Sequence, residues 1–135
     1  MPFVTVYHPE KLFDNTLLKN VSNQIHHSLI EHFNIPESDY FQMFLPYPPH
    51  QLFYDSSYLL EGSVKRSNNM IYVSIKCGPG RTINQKKALY KAIATSTANI
   101  LQISTADVFI TLHETPIENW SFGQGIAQML NQRNK

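Results

Sequence analysis

The chain has one cysteine, Cys77, so no intrachain disulfide can staple the fold. Charge is scarce and balanced: 11 Lys and Arg face 10 Asp and Glu, a formal net charge of +1. That leaves no electrostatic footprint for nucleic acid and no polybasic run for a membrane surface. No apolar run approaches the length of a bilayer span. The start, Met1-Pro2-Phe3-Val4-Thr5-Val6-Tyr7, lacks the basic region and apolar stretch of a secretory signal. A reducing, cytoplasmic setting is expected. The pattern for a metal site is missing too. His26, His27 and His32 do not have the spacing that pairs ligands on one helix face, and His-Glu-x-x-His is absent.

What is present suits one domain over 1–135. Hydrophobic residues make up 42% of the 135, enough for a single core at this length. A displacement of 68 positions lays one half on the other without a gap. Val21 then meets Leu89, Ile25 meets Ile93, Ile35 meets Ile103, Asp39 meets Asp107, Phe41 meets Phe109, and Pro2 falls on Met70. The pseudo-repeat covers 2–45 and 70–113, with a connector 46–69 and a tail 114–135.

Each half reads β-α-β. Residues 2–7 alternate as a strand does. Leu17, Leu18, Val21, Ile25, Leu29 and Phe33 share one face of a helix over 14–33. Residues 40–45 return to strand. In the second half, 70–76 and 107–112 read as strands. Thr82 with Gln85 forms a capping-box pattern for a helix running to Leu101. The connector holds Pro46, Pro48 and Pro49, then Phe53, Tyr54, Tyr58, Leu59 and Leu60, and is predicted to contain a short strand or hairpin. Helices on one face of a sheet make an α+β two-layer sandwich. Element order alone fits a ferredoxin-like regulatory domain equally well.

Four features carry possible chemistry. Pro2 would become a secondary amine if Met1 were removed. Burial in an apolar site would favour its neutral form, able to take a proton. Arg81 follows Gly78-Pro79-Gly80 at the start of the second helix, where a guanidinium can grip a carboxylate with two bonds. Asp39 lies where a loop enters a strand; its repeat in Asp107 also fits a shared turn device. Asn119-Trp120-Ser121-Phe122-Gly123-Gln124-Gly125-Ile126-Ala127-Gln128 could wall an apolar pocket or pack as a tail. His27 is a further candidate for proton transfer. Cys77 reads as a small hydrophobe at a strand end.

Together these residues resemble the tautomerase superfamily, and within it the malonate semialdehyde decarboxylase-like branch. The resemblance rests on Pro2 opening the first strand, the duplicated β-α-β unit, Phe33-Asn34-Ile35-Pro36 leading to Asp39, Arg81-Thr82, and the 119–128 motif. It implies a homotrimer without cofactor or metal, acting on a small carbonyl substrate that bears a carboxylate. In such a site Pro2 is the general acid or base and Asp39 positions water or the amine. Arg81 binds the carboxylate, and Trp120 and Phe122 form the apolar wall. The decarboxylase pattern has two arginines flanking a proline at the second helix, whereas this chain has Arg81 alone, with Lys76 as a point charge nearby. Tautomerisation, hydration or decarboxylation of a 2-oxo or 3-oxo acid is expected. The alternative is a non-catalytic binding or signalling protein on the same scaffold.

Overall fold

The computed structural model describes residues 1–133; residues 134 and 135 of the tail lie outside it. Four strands and two long helices build the fold: β1 (Phe3–Pro9), α1 (Asn15–Phe33), β2 (Gln42–Tyr47), β3 (Ile71–Cys77), α2 (Ile83–Leu101) and β4 (Val108–Glu114). A short α3 (Gln128–Arg133) follows. The sheet order is β2-β1-β3-β4. Each β-α-β unit pairs its own strands in parallel, and the units meet antiparallel at β1 and β3. The expected α+β sandwich of a duplicated unit is therefore what the chain forms. No helix among the described residues is long and apolar enough to cross a membrane.

Local chemistry sets the helix ends. Asp14 caps α1 by accepting from Leu17 N at 2.9 Å, and Asn34 ends it in the left-handed region at φ 56°. Thr82 and Gln85 form the predicted capping box, at 3.1 and 2.8 Å. The core lies between the layers: Val4, Val6, Ile71, Val73 and Ile75 from the sheet meet Val21, Ile25, Leu29, Leu89 and Ile93 from the helices. Each such side chain contributes about 1.5–3 kcal/mol on burial.

Two expectations need correction. The 68-residue displacement holds for the helices and for β2 onto β4, but it puts β1 on the wrong face of β3. Val4 and Val6 are buried, yet that displacement maps them onto Tyr72 and Ser74, which lie on the opposite face from Val73 and Ile75. A shift of 69 for β1 alone, with β2 kept at 68, restores both face and register, carrying the pair Val4–Gln42 onto Val73–Ile110. The counterpart of buried Pro2 is thus Ile71, a fully buried core position, and not Met70.

The connector forms no strand or hairpin. After β2, which runs on through Pro46 to Tyr47 as an edge strand can, it makes one 3-10 turn over Pro49–Gln51. Side chains then take the backbone groups that a ladder would need. Asp55 accepts from Ser57 N and Tyr58 N, and Arg66 donates to the carbonyls of Asp55 and Tyr58. The hydrogen bonds to the Asp55 carboxylate hold its pKa below the usual carboxylate value.

Candidate active site

The chain start is seated beside the segment that follows α1. Val4 N donates to Phe41 O at 3.0 Å, one step beyond the β1–β2 ladder. A turn closed by Asp39 N on Pro36 O at 3.0 Å then presents the Asp39 side chain. Its Oδ2 accepts from the ammonium of Met1, forming an ion pair in which both side chains are almost fully buried. The other oxygen, Oδ1, is buried without a partner. A buried carboxylate oxygen left unpaired is costly, so it is open to a water, a substrate proton or a relocated amine.

Asp107 shows what the same slot does in the other half. Its carboxylate, 2% exposed, accepts from Ser67 N at 2.6 Å and Ser67 Oγ at 2.7 Å. Both aspartates grip the segment that leads into the neighbouring strand. At 107 the gripped groups belong to mid-chain; at 39 the gripped group is an amine. The turn device and the candidate catalytic carboxylate are one structural element used twice.

Two cavities flank the chain start. One, of about 350 Å³, is lined by Met1, Pro36, Ser38, Asp39, Phe41 and Phe122, together with Gln128 and Met129. The other, of about 340 Å³, is lined by Pro2, Phe3, Phe41, Trp120 and Phe122, with Ser121 supplying its one hydroxyl. Phe41 and Phe122 belong to both. Their rings meet edge to face at 5.7 Å, and Phe122 stacks on Trp120 at 5.8 Å.

The strap that carries these aromatics is anchored behind β4. Thr115 N donates to Cys77 O at 2.9 Å, while Thr115 accepts from Asn119 Nδ2 at 2.9 Å and from Trp120 Nε1 at 3.4 Å. Gly123, Gln124 and Gly125 then reverse the chain with φ of 130°, 63° and 69°, a run of positive φ that the two glycines adopt at little cost.

The structure brings Pro2, Asp39, Trp120 and Phe122 together. Arg81 lines neither cavity. Its Nη2 donates to Phe33 O at 3.0 Å and its Nη1 to Gly78 O at 3.3 Å, and the guanidinium lies 5.0 Å from the Phe33 ring centre. Gly78 links it to the site: a Cβ there would overlap the terminal methyl of Met1. The Met1 side chain thus fills the space between Asp39 and the loop that holds Arg81. His27 stands exposed on α1, 3.8 Å from Glu31, away from both cavities. Cys77 is buried, and loss of solvation raises its thiol pKa.

Phe41, Pro36 and Gln128 escaped the reading of the sequence as site residues. Phe41 follows Asp39 by two, so a strand leaving that carboxylate carries its side chain to the same end of the sheet. Gln128 closes the quoted motif but gives no sign from spacing of what it holds. Among the described residues, no group of three or more His, Cys, Asp or Glu is placed to hold a metal ion.

Known proteins share this fold. The family model described as a tautomerase enzyme matches residues 39–123, more than half of the chain. The probable tautomerase YusQ of Bacillus subtilis (strain 168) is 42% identical over 130 residues, covering 96% of this chain and 99% of its own. A crystal structure of FG41 malonate semialdehyde decarboxylase inhibited by 3-bromopropiolate superimposes with a TM-score of 0.86 at 26% identity, covering 97% and 96% of the two chains. A fused 4-OT asymmetric trimer shares the fold at 16% identity, with a TM-score of 0.75 over 96% and 98%. The duplicated unit, the aromatic strap and these matches agree: the chain belongs to the tautomerase family and, within its superfamily, to the malonate semialdehyde decarboxylase-like branch.

Proposed function

We propose that the protein acts on a small 2-oxo or 3-oxo carboxylic acid, using the amine of Pro2 after loss of Met1 as its acid or base. The observation that carries this is the ion pair between the chain's amine and Asp39 beside an apolar cavity lined by Pro2. Loss of Met1 moves the amine to Pro2 and empties the space against Gly78. The new secondary amine then lies between the unpaired Asp39 Oδ1 and the Trp120–Phe122 wall. An apolar wall favours the neutral amine, while the carboxylate favours the ammonium, and a proton-transfer group works best when the two are balanced.

In tautomerisation, the neutral amine takes a proton from the carbon beside the carbonyl, and the ammonium returns it to the enolate. Asp39 stabilises the ammonium between the two transfers. Arg81 stands at the edge of the vacated space. To hold a substrate carboxylate it exchanges its bond to Gly78 O for the anion, a stronger acceptor. Hydration and decarboxylation of related oxo acids use the same groups. A homotrimer is part of the proposal; the fused 4-OT structure is a trimer.

Intact-protein mass spectrometry and an assay on 2-oxo and 3-oxo acids test it. The purified protein should lack Met1, and Pro2→Ala should lower kcat by about 10²–10⁴-fold, the range for loss of a proton-transfer group. An unaltered Pro2→Ala enzyme would remove the proposal. Retained Met1 with no turnover would instead favour a binding protein on the same scaffold.

A further inference from the structure

We propose that Gln128 is a positioning residue of this site: its side-chain amide clasps the strap and sets Phe122 as a partition between the Asp39 cavity and the Pro2 cavity. The inference rests on the strap being the wall of the proposed site.

Gln128 is the first residue of α3, and its side chain reaches back across the turn. Its Oε1 accepts from Phe122 N at 2.9 Å, and its Nε2 donates to Gly123 O at 2.8 Å. Both polar atoms of the amide are thereby committed to consecutive residues of the strap. Among the described residues, no other side chain hydrogen-bonds to the backbone of 121–125. The backbone itself adds only Ile126 N on Gly123 O, at 3.4 Å. A turn of three residues at positive φ has little of its own to hold it shut.

The chemistry demands an amide of this length. A neutral amide offers one acceptor and one donor side by side, matching the N–H of Phe122 and the carbonyl of Gly123. An ionised carboxylate accepts only, and would set an oxygen against Gly123 O. An alanine offers neither contact.

What the clasp holds is Phe122, which with Phe41 lines both cavities. With the clasp shut, Phe122 packs on Phe41 and Trp120 and stands between the two cavities. With it open, the two cavities merge. Gln128 therefore acts on substrate fit and on the polarity around the amine without touching the reacting atoms.

Trp120 is the only tryptophan in the chain, so its fluorescence reads the strap in the purified protein with no substrate. Gln128→Ala should shift the Trp120 emission to the red and raise its quenching by acrylamide toward that of the unfolded chain, with far-UV circular dichroism unchanged. Gln128→Glu supplies the second test, and it carries the proposal if the alanine variant does not fold. Its protonated carboxyl has one donor and one acceptor and should hold the strap at acid pH. As the carboxyl ionises, the emission should move to that of the open strap, a step that wild type lacks. Wild-type emission and quenching in Gln128→Ala, or no such step in Gln128→Glu, would overturn the clasp. Because these readouts need no turnover, they fail separately from the catalytic proposal: an active Pro2→Ala enzyme leaves the clasp standing, and a silent Trp120 leaves Pro2 standing.

Discussion

Asp39 and Asp107 occupy matching turns and differ only in what they hold, so substitution should separate them. Asp39→Asn should lower turnover by about 10²–10⁴-fold, as expected when a group that supports proton transfer is lost, while thermal stability stays near wild type. Asp107→Ala leaves Ser67 N and Oγ without their acceptor in a buried site. It should cost about 2–4 kcal/mol in a denaturant titration and leave kcat in the surviving folded fraction unchanged. Equal effects on both measures for both residues would dissolve the distinction. Tyr47 gives a pH-dependent counterpart. Its hydroxyl donates to Met70 O at 2.5 Å, and its pKa is pushed up to about 12, first by burial and then by the negative charge of ionised Tyr54 and of Asp107. A phenol raised in the folded state favours folding fully below its ordinary value of 10.0, and that contribution is lost as pH climbs from 10 to 12. Tyr47 should therefore ionise late in an absorbance titration, and Tyr47→Phe should remove that late step.

Between elements, the contact with most bearing on function joins the end of α1 to the start of α2. The last carbonyls of a helix have no partner within it. Here Phe33 O is met by Arg81 and His32 O by Gln85 Nε2 at 3.2 Å. Arg81 thus supports the fold as well as standing at the site's edge. Arg81→Ala should lower stability by about 1–3 kcal/mol, the range for a hydrogen bond to a charged donor, as well as lowering activity. Arg81→Lys should recover only part of either, since an ammonium lacks the guanidinium fork. An arginine that served substrate alone would leave the unfolding midpoint unmoved.

The same junction shows what was legible in the sequence. Helix periodicity and the Thr82–Gln85 cap lie within single segments, so spacing displays them. The Phe33 carbonyl that Arg81 meets lies 48 residues away, and no local pattern encodes that. The β1 register was hidden for a related reason. Strand residues change face at every step, so a slip of one residue is invisible in a gapless repeat and decisive in a sheet. In the connector, aromatic and aliphatic residues raised the expectation of a strand, and Asp55 and Arg66 overrode it through hydrogen bonds that composition does not reveal. The candidate site has a local signature in the 119–128 motif and at Asp39, and none at Phe41 and Gln128, which line it through contacts that no spacing displays.

At the scale of the molecule, one face of the sheet has no helix over it among the described residues. Tyr7, Tyr72 and Phe109 form an aromatic row across three strands, with ring centres 5.4 and 5.7 Å apart. Met43 and Leu45 project beside them from β2 on the same face and are exposed. The connector adds Phe53, Tyr58 and Leu59, of which Phe53 is 88% and Leu59 82% exposed. Exposed apolar side chains gathered on an uncovered sheet face mark an association site. Leu59 sharpens the inference. It sits at φ 61°, a left-handed conformation that costs a non-glycine residue about 1–2 kcal/mol. It lies in the turn held by Asp55 and Arg66, and among the described residues its side chain stays 82% exposed. A neighbouring copy would supply the missing contact, which is what a trimer closed over these faces provides. Light scattering should give three times the chain mass. Leu59→Asp should shift that mass toward the monomer and make the unfolding midpoint depend on protein concentration. Leu59→Gly separates the backbone from the side chain: it relieves the left-handed strain, so a lone surface leucine would yield a protein as stable or more so. If Leu59 anchors a partner, the glycine variant should still lose trimer on dilution. A Leu59→Asp trimer as tight as wild type would place the interface elsewhere on the chain.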